Sequence, residues 1–156
     1  MKNILVIGGT GQIGSELTMK LRGIYGDGHV VCGYIPNAAP KGELLESGPA
    51  EIVDITDARQ IADVVKKHDI DSIYNLAALL SAVAEARPQL AWNIGVNGLY
   101  NALEVSREHN CALFTPSSIG SFGLSTPHVK TPQDTVQRPQ TIYGVTKVTG
   151  ELLSDY

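Results

Sequence analysis

Residues 3–21, NILVIGGTGQIGSELTMKL, decide how the rest of the chain is read. Ile, Leu and Val run without interruption up to Gly8, and Gly8, Gly11 and Gly14 then recur at intervals of three before helical spacing takes over. A short apolar run without alternation predicts a strand buried on both faces. Glycines between such a strand and a helix permit a tight turn and a close backbone approach, and the helix N-terminus beyond them attracts an anion. The stretch therefore predicts a strand–turn–helix unit whose Gly8, Gly11, Gln12, Ile13 and Gly14 face the pyrophosphate of a dinucleotide. The spacing G-x-x-G-x-x-G departs from the commoner G-x-G-x-x-G, so a purely structural turn is the competing reading.

Working outward, strand-like runs at 3–8, 29–35, 50–55, 71–77 and 111–118 alternate with helical patterns. That alternation predicts an α/β fold, a Rossmann-type doubly wound parallel sheet, with residues 1–156 forming one dinucleotide-binding domain. Three apolar stripes at helical spacing would cover the sheet. They are Ile13, Leu17, Leu21 and Ile24; then Ile61, Val64 and Val65; then Leu90, Ile94, Gly98, Ala102 and Val105. Pro88 suits the first position of a helix, and the Gly and Pro between 36 and 49 predict a loop. The polar, Pro-containing stretch 118–140 is long for a connection in a compact domain, which points to a functional loop over a site.

Composition narrows the partners. The formal net charge is -4, and Lys and Arg are scattered, so neither nucleic acid nor an anionic membrane is expected. The apolar runs are too short to cross a bilayer, and the start, MKNILVIGGTG, ends in glycines where a secretory leader would have a cleavage site. A cytoplasmic protein acting on a small molecule is expected. Cys32 and Cys111 stand far apart in strand-like segments without clustered His, which predicts reduced, buried thiols and no metal site.

Chemistry gathers towards the C-terminal side. Tyr143 and Lys147 are four residues apart, so a helix projects both from one face. A phenol, with a pKa of about 10, is a poor base at neutral pH, and an adjacent ammonium lowers that value by favouring phenolate. Ser117 and Ser118 fall at the end of the fifth strand, where doubly wound folds hold their ligands. A hydroxyl there can polarise a carbonyl or bind an alkoxide, although serines at strand ends also serve simply as turn formers. At the end of the second strand Tyr34 stands where an acid would bind ribose, and no Arg beside it claims a 2'-phosphate, so NAD and NADP are not separated. Asp54, with Ile55, follows the third strand; its carboxylate suits an adenine amino group or a helical cap equally well.

GGTGQIG, NLAA, PSSIGSFG and YGVTK, in this order and at these separations, resemble the extended short-chain dehydrogenase/reductase superfamily, which includes the NAD-dependent epimerases and dehydratases. PSSIGSFG followed by TPQDTVQRPQTIYGVTKVTGELL looks most like the short-chain type of L-threonine 3-dehydrogenase. The resemblance implies NAD as cofactor and oxidation of the 3-hydroxyl of L-threonine, or a related hydroxy compound, to 2-amino-3-ketobutyrate. Tyr143 would take the hydroxyl proton, Ser118 would steady that oxygen, and Lys147 would tune Tyr143 and hold the nicotinamide ribose. Ser81 and Ser117 would lie at the substrate, while Leu76, Ala77 and Ala78 would line the cofactor. A homodimer is implied as well, and the last helix is expected to expose Val145, Val148, Leu152 and Leu153. Three departures stand out: Tyr34 in place of an acid, Gly95 where relatives carry Asn, and the absence of the C-terminal substrate lobe that follows the Tyr-Lys helix in relatives. The last predicts inefficient catalysis by residues 1–156 alone. A nucleotide-sugar epimerase or dehydratase and a non-catalytic dinucleotide-binding module are the rival readings.

Overall fold

The computed structural model describes residues 2–156. Five strands, β1 (Ile4–Ile7), β2 (Val30–Tyr34), β3 (Ala50–Ile52), β4 (Ser72–Asn75) and β5 (Ala112–Phe114), form one parallel sheet in the order β3-β2-β1-β4-β5. All five expected strands are present, each shorter than its apolar run. The helices are α1 (Gln12–Tyr25), α2 (Glu43–Glu46), α3 (Ala58–Lys67), α4 (Ser81–Ala86), α5 (Pro88–Trp92), α6 (Leu99–His109) and α7 (Ile142–Asp155). Backbone contacts gather into two compact units. The first runs up to Ala77 and includes Gly98–Pro116, so it holds the whole sheet with α1, α2, α3 and α6. The second is Ala78–Asn97 with Ser117–Tyr156, containing α4, α5 and α7.

In the first unit β1 lies at the centre, and Ile4, Leu5, Val6 and Ile7 are all buried, as a strand covered on both faces must be. The chain passes from β1 out through β2 to β3, then returns to β4 on the other side of β1. That reversal makes the parallel sheet doubly wound, and it opens a crevice at the carboxyl ends of β1 and β4. There Gly8, in the left-handed region at φ +78°, sits so near the chain at Leu76 and Ala77 that a Cβ would stand 3.1 Å from Ala77 N.

Two of the three expected stripes are corrected. In α1 the buried residues are Gly14, Thr18, Leu21 and Arg22, while Ile13 is 69% and Ile24 59% exposed. Gly14 sets this rotation: a Cβ on it would lie 2.1 Å from the Gly8 carbonyl oxygen, so its bare face must turn inward and carry positions 18, 21 and 22 with it. The third stripe is not one helix. α5 begins at Pro88 as expected, but a π-helical turn over Asn93–Gly98 precedes α6. The wider turn shifts the 3.6-residue period, so Ala91, Val96, Leu99, Ala102 and Val105 are buried and Leu90 is exposed. The α3 stripe is as expected: Ile61, Val64 and Val65 are buried, with the Asp57 side chain capping the helix by accepting the Arg59 and Gln60 N–H groups.

The 36–49 connection contains a 3₁₀ turn at Pro36–Ala38 and the short α2 where a plain loop was expected. Arg22, 2% exposed, fastens it. Its Nε donates to Val30 O, Nη1 to Leu44 O at 2.7 Å and Ser47 Oγ at 2.8 Å, and Nη2 to Pro49 O at 2.8 Å. Cys32 is a free thiol, fully buried in β2. Cys111, also free, lies just before β5 and is only half-buried, donating to Ile70 O at 3.1 Å. The chain leading into β1 is tied down by Asp71, whose carboxylate accepts the Lys2 N–H at 2.6 Å and the Ser72 hydroxyl at 2.6 Å. At the outer strand β3, Glu51 pairs with Lys67 and His68, each at 2.8 Å.

Candidate functional site

The first unit carries the glycine turn between β1 and α1. Gly11 N–H donates to Gly8 O at 3.0 Å and Ser15 N–H to Gly11 O at 2.9 Å, closing the turn that delivers the chain from β1 into α1. Gly11 is the N-cap and offers no side-chain acceptor, so the first-turn N–H groups that follow, at Gln12, Ile13 and Gly14, point outward uncapped. Together with the helix dipole this is chemistry that fits a pyrophosphate. The glycines let the turn close against its own backbone, where a Cβ on Gly8 would meet Leu76 and Ala77 and one on Gly14 would meet Gly8, and the exposed Ile13 flanks the same turn.

The other first-unit residues divide by what they already hold. Asn75, buried and not singled out from sequence, accepts the Ala77 N–H on Oδ1 at 3.2 Å and so shapes the chain at Leu76 and Ala77. Asp54 Oδ1 accepts the Thr56 N–H at 2.9 Å and hydroxyl at 2.8 Å, which is a turn-forming use of the carboxylate. Ile55 is buried, its side chain against Gly98 and its carbonyl held by Asn101 Nδ2 at 3.1 Å. Tyr34 closes β2 opposite Ile52.

The second unit gathers Ser118, Tyr143 and Lys147. α7 starts where Thr141 Oγ1 accepts the Gly144 N–H at 3.0 Å, and Glu85 of α4 accepts the Ile142 N–H at 2.7 Å. Tyr143 and Lys147 then fall on one face, with Lys147 Nζ 5.6 Å from the Tyr143 ring centroid, within cation–π reach. Burial pulls the Lys147 ammonium below the ordinary lysine value. Ser118 has an extended backbone and caps a 3₁₀ turn over Ile119–Ser121, its Oγ accepting the Gly120 N–H at 3.1 Å. Gly120 draws the two together: a Cβ there would lie 3.3 Å from Tyr143 Cδ1 and Cε1 and 3.4 Å from Ser118 Oγ. Gly144 allows the contact, since a Cβ on it would lie 2.1 Å from Gly120 O.

Ser117 donates to Glu151 of α7. Ser81 is the exposed first residue of α4, a helix packed on α7, and Ala78 enters the second unit just before it. Gly95, in the π turn, presses its bare Cα against Thr146 of α7; a Cβ would come within 2.9 Å of Thr146 Cβ, so a larger residue there requires Thr146 to shift. The loop after Ser117 walls a cavity of about 680 Å³ with Ser117, Ser118, Phe122, Asp134, Gln137 and Glu151 on its surface. Among the described residues no cluster of His, Cys, Asp or Glu could hold a metal ion. On α7, Leu152 is 65% exposed, while Val145, Val148 and Leu153 are half-buried, so the expected open apolar face is largely confined to one residue.

A doubly wound parallel sheet with a glycine turn after its first strand defines a Rossmann-like α/β protein. Residues 4–156 match the NAD dependent epimerase/dehydratase family, and the chain belongs to it. It is 53% identical to an L-threonine dehydrogenase from Clostridium difficile, with a TM-score of 0.93, covering 100% of this chain and 49% of that one. It is 49% identical over 156 residues to an uncharacterized epimerase/dehydratase of Staphylococcus saprophyticus, covering 100% of this chain and 48% of the relative. The UDP-glucose 4-epimerase of Thermus thermophilus, solved in complex with NAD, is 26% identical with a TM-score of 0.84, covering 99% of this chain and 50% of that one. The chain thus spans about half the length of the relatives it matches.

Proposed function

We propose that this chain is the cofactor-binding and acid–base part of an NAD-dependent dehydrogenase that oxidises the 3-hydroxyl of L-threonine to 2-amino-3-ketobutyrate. The observation that carries the reading is Ser118 and Tyr143 meeting at Gly120 with Lys147 beside the phenol ring, in a chain 53% identical to an L-threonine dehydrogenase and 26% identical to a UDP-glucose epimerase. Tyr143 takes the proton of the substrate hydroxyl, Ser118 Oγ donates a hydrogen bond to that oxygen, and the Lys147 charge favours phenolate. Ser117 and Ser81 contribute hydroxyls to the substrate side. NAD, when bound, supplies the acceptor for the hydride leaving the same carbon. Gly8, Gly11, Gln12, Ile13 and Gly14 would hold its pyrophosphate, with Asp54, Ile55, Leu76, Ala77 and Ala78 along it and Tyr143 and Lys147 at the nicotinamide end. A cytoplasmic homodimer completes the reading, with exposed Leu152 at its interface.

The test is NAD reduction followed by the absorbance of NADH in the complete gene product. L-Threonine should drive it, and Tyr143→Phe should lower kcat by about 100-fold or more, the range of general acid–base catalysis. Interconversion of a UDP-hexose with no threonine-dependent NADH would replace the dehydrogenase by an epimerase. Sedimentation over a wide concentration range should show a dimer, which Leu152→Glu weakens.

A further inference from the structure

Glu151 lies two turns beyond Tyr143 and one beyond Lys147 on the same stripe of α7. Its carboxylate is held from two directions. Oε1 accepts the Ser117 hydroxyl, and Oε2 accepts the Gln137 side-chain amide at 2.8 Å. The same Gln137 nitrogen donates to Ser121 Oγ at 3.3 Å, and Ser121 in turn donates its hydroxyl to Ser118 O at 2.7 Å. The backbone N–H of Ser121 reaches that same carbonyl at 3.0 Å.

These bonds close a ring. It leaves one carboxylate oxygen towards Ser117, passes along the peptide to Ser118, and returns through Ser121 and Gln137 to the other oxygen. Ser118 is therefore gripped on both sides, by its preceding neighbour and by its own carbonyl, and both grips end on a side chain anchored in the helix that carries Tyr143. We infer that Glu151 is a positioning residue that fixes Ser118 against Tyr143 by closing this ring. A carboxylate suits the post because it is acceptor-only, with room for two donors arriving from different directions, and charge-assisted bonds are stronger than neutral ones. Within the ring, Glu151 is the member that belongs to α7, and Ser121, 1% exposed, is shielded from competing water.

The role rests on the dehydrogenase reading for its kinetic consequence but not for its structural one, and the test separates them. In Glu151→Ala, hydrogen exchange of the 117–123 segment should rise while that of β1 and β4 stays as in the parent. Where the parent oxidises L-threonine, kcat should fall by about 10- to 100-fold, the scale of a misplaced catalytic group, with KM changed less than about threefold. Gln137→Glu opposes two carboxylates and also leaves Ser121 Oγ without its donor, so it should be similarly impaired in both readouts. Unchanged exchange in Glu151→Ala overturns the inference whether or not the protein is active. Raised exchange with an unaltered kcat in an active parent overturns it too, and absence of threonine turnover in the complete gene product overturns the dehydrogenase reading while exchange still decides the ring.

Discussion

Gly120 works by what it lacks. The hydrogen it carries in place of a side chain faces the Tyr143 ring and Ser118 Oγ at once, and a methyl would press on the ring more tightly than ordinary contact allows. Gly120→Ala should therefore reduce kcat by roughly tenfold through displacement of Tyr143 or Ser118, with stability changed by less than about 1.5 kcal/mol. Loss of fold in far-ultraviolet circular dichroism would show instead that the turn itself cannot form. Lys147 adds a pH signature. Burial lowers its folded-state value, so between that value and the ordinary lysine value the unfolded chain binds the proton that the folded chain has released. Stability from this group must then rise with pH across that window, and Lys147→Met should remove the rise in urea titrations at stepped alkaline pH.

Among the elements, α1 offers a paired test of its own rotation. Gly14→Ala places a methyl 2.1 Å from Gly8 O and should cost about 3 kcal/mol, while Gly23→Ala meets nothing within 4 Å and should stabilise by about 0.5–1 kcal/mol through helix propensity. Urea melts of the two variants decide it. Arg22→Met, which keeps length but loses every donor, takes the guanidinium from the Leu44 carbonyl and the Ser47 hydroxyl and leaves the Pro49 carbonyl only its Cys32 N–H, and should cost roughly 3 kcal/mol. Elements also show why some features are legible in a sequence and others are not. The strand–glycine–helix unit and the Tyr143–Lys147 pair rest on neighbours in the chain, so period and spacing reveal them. The facing of α1 does not, because it is set by contact between Gly14 and the carbonyl of Gly8, and an apolar count favours Ile13 and Ile24. A π turn adds a residue that 3.6-period reasoning has no place for. The Glu151 ring joins side chains 34 and 14 residues apart, which leaves no local trace at all.

At the scale of the whole molecule, Glu51 and Asp71 contribute to the response to acid. Burial works against the charged form of Glu51, but hydrogen bonds from Lys67 and His68 outweigh it and hold the group below the ordinary carboxylate range. Asp71 is held low likewise, against its own burial, by Ser72, Lys2 and Asn3. Both groups contribute stability above the ordinary value, and that contribution is lost as pH falls through the depressed one. Acid titration of Glu51→Gln with Asp71→Asn should accordingly show a lower plateau near neutrality and a shallower fall than the parent; an identical acid limb would remove both groups from the account. Among the described residues no helix is long and apolar enough to cross a membrane.

The full burial of Cys32 gives the sheet a clock. A thiol reagent cannot reach Cys32 until the glycine turn and the layer over that face of β2 lift, and burial holds the sulfur in the unreactive protonated form until then. With half-buried Cys111 replaced by Ser, and label in enough excess to react before the site recloses, the rate at which a single equivalent appears becomes a count of how often the cover over β2 opens.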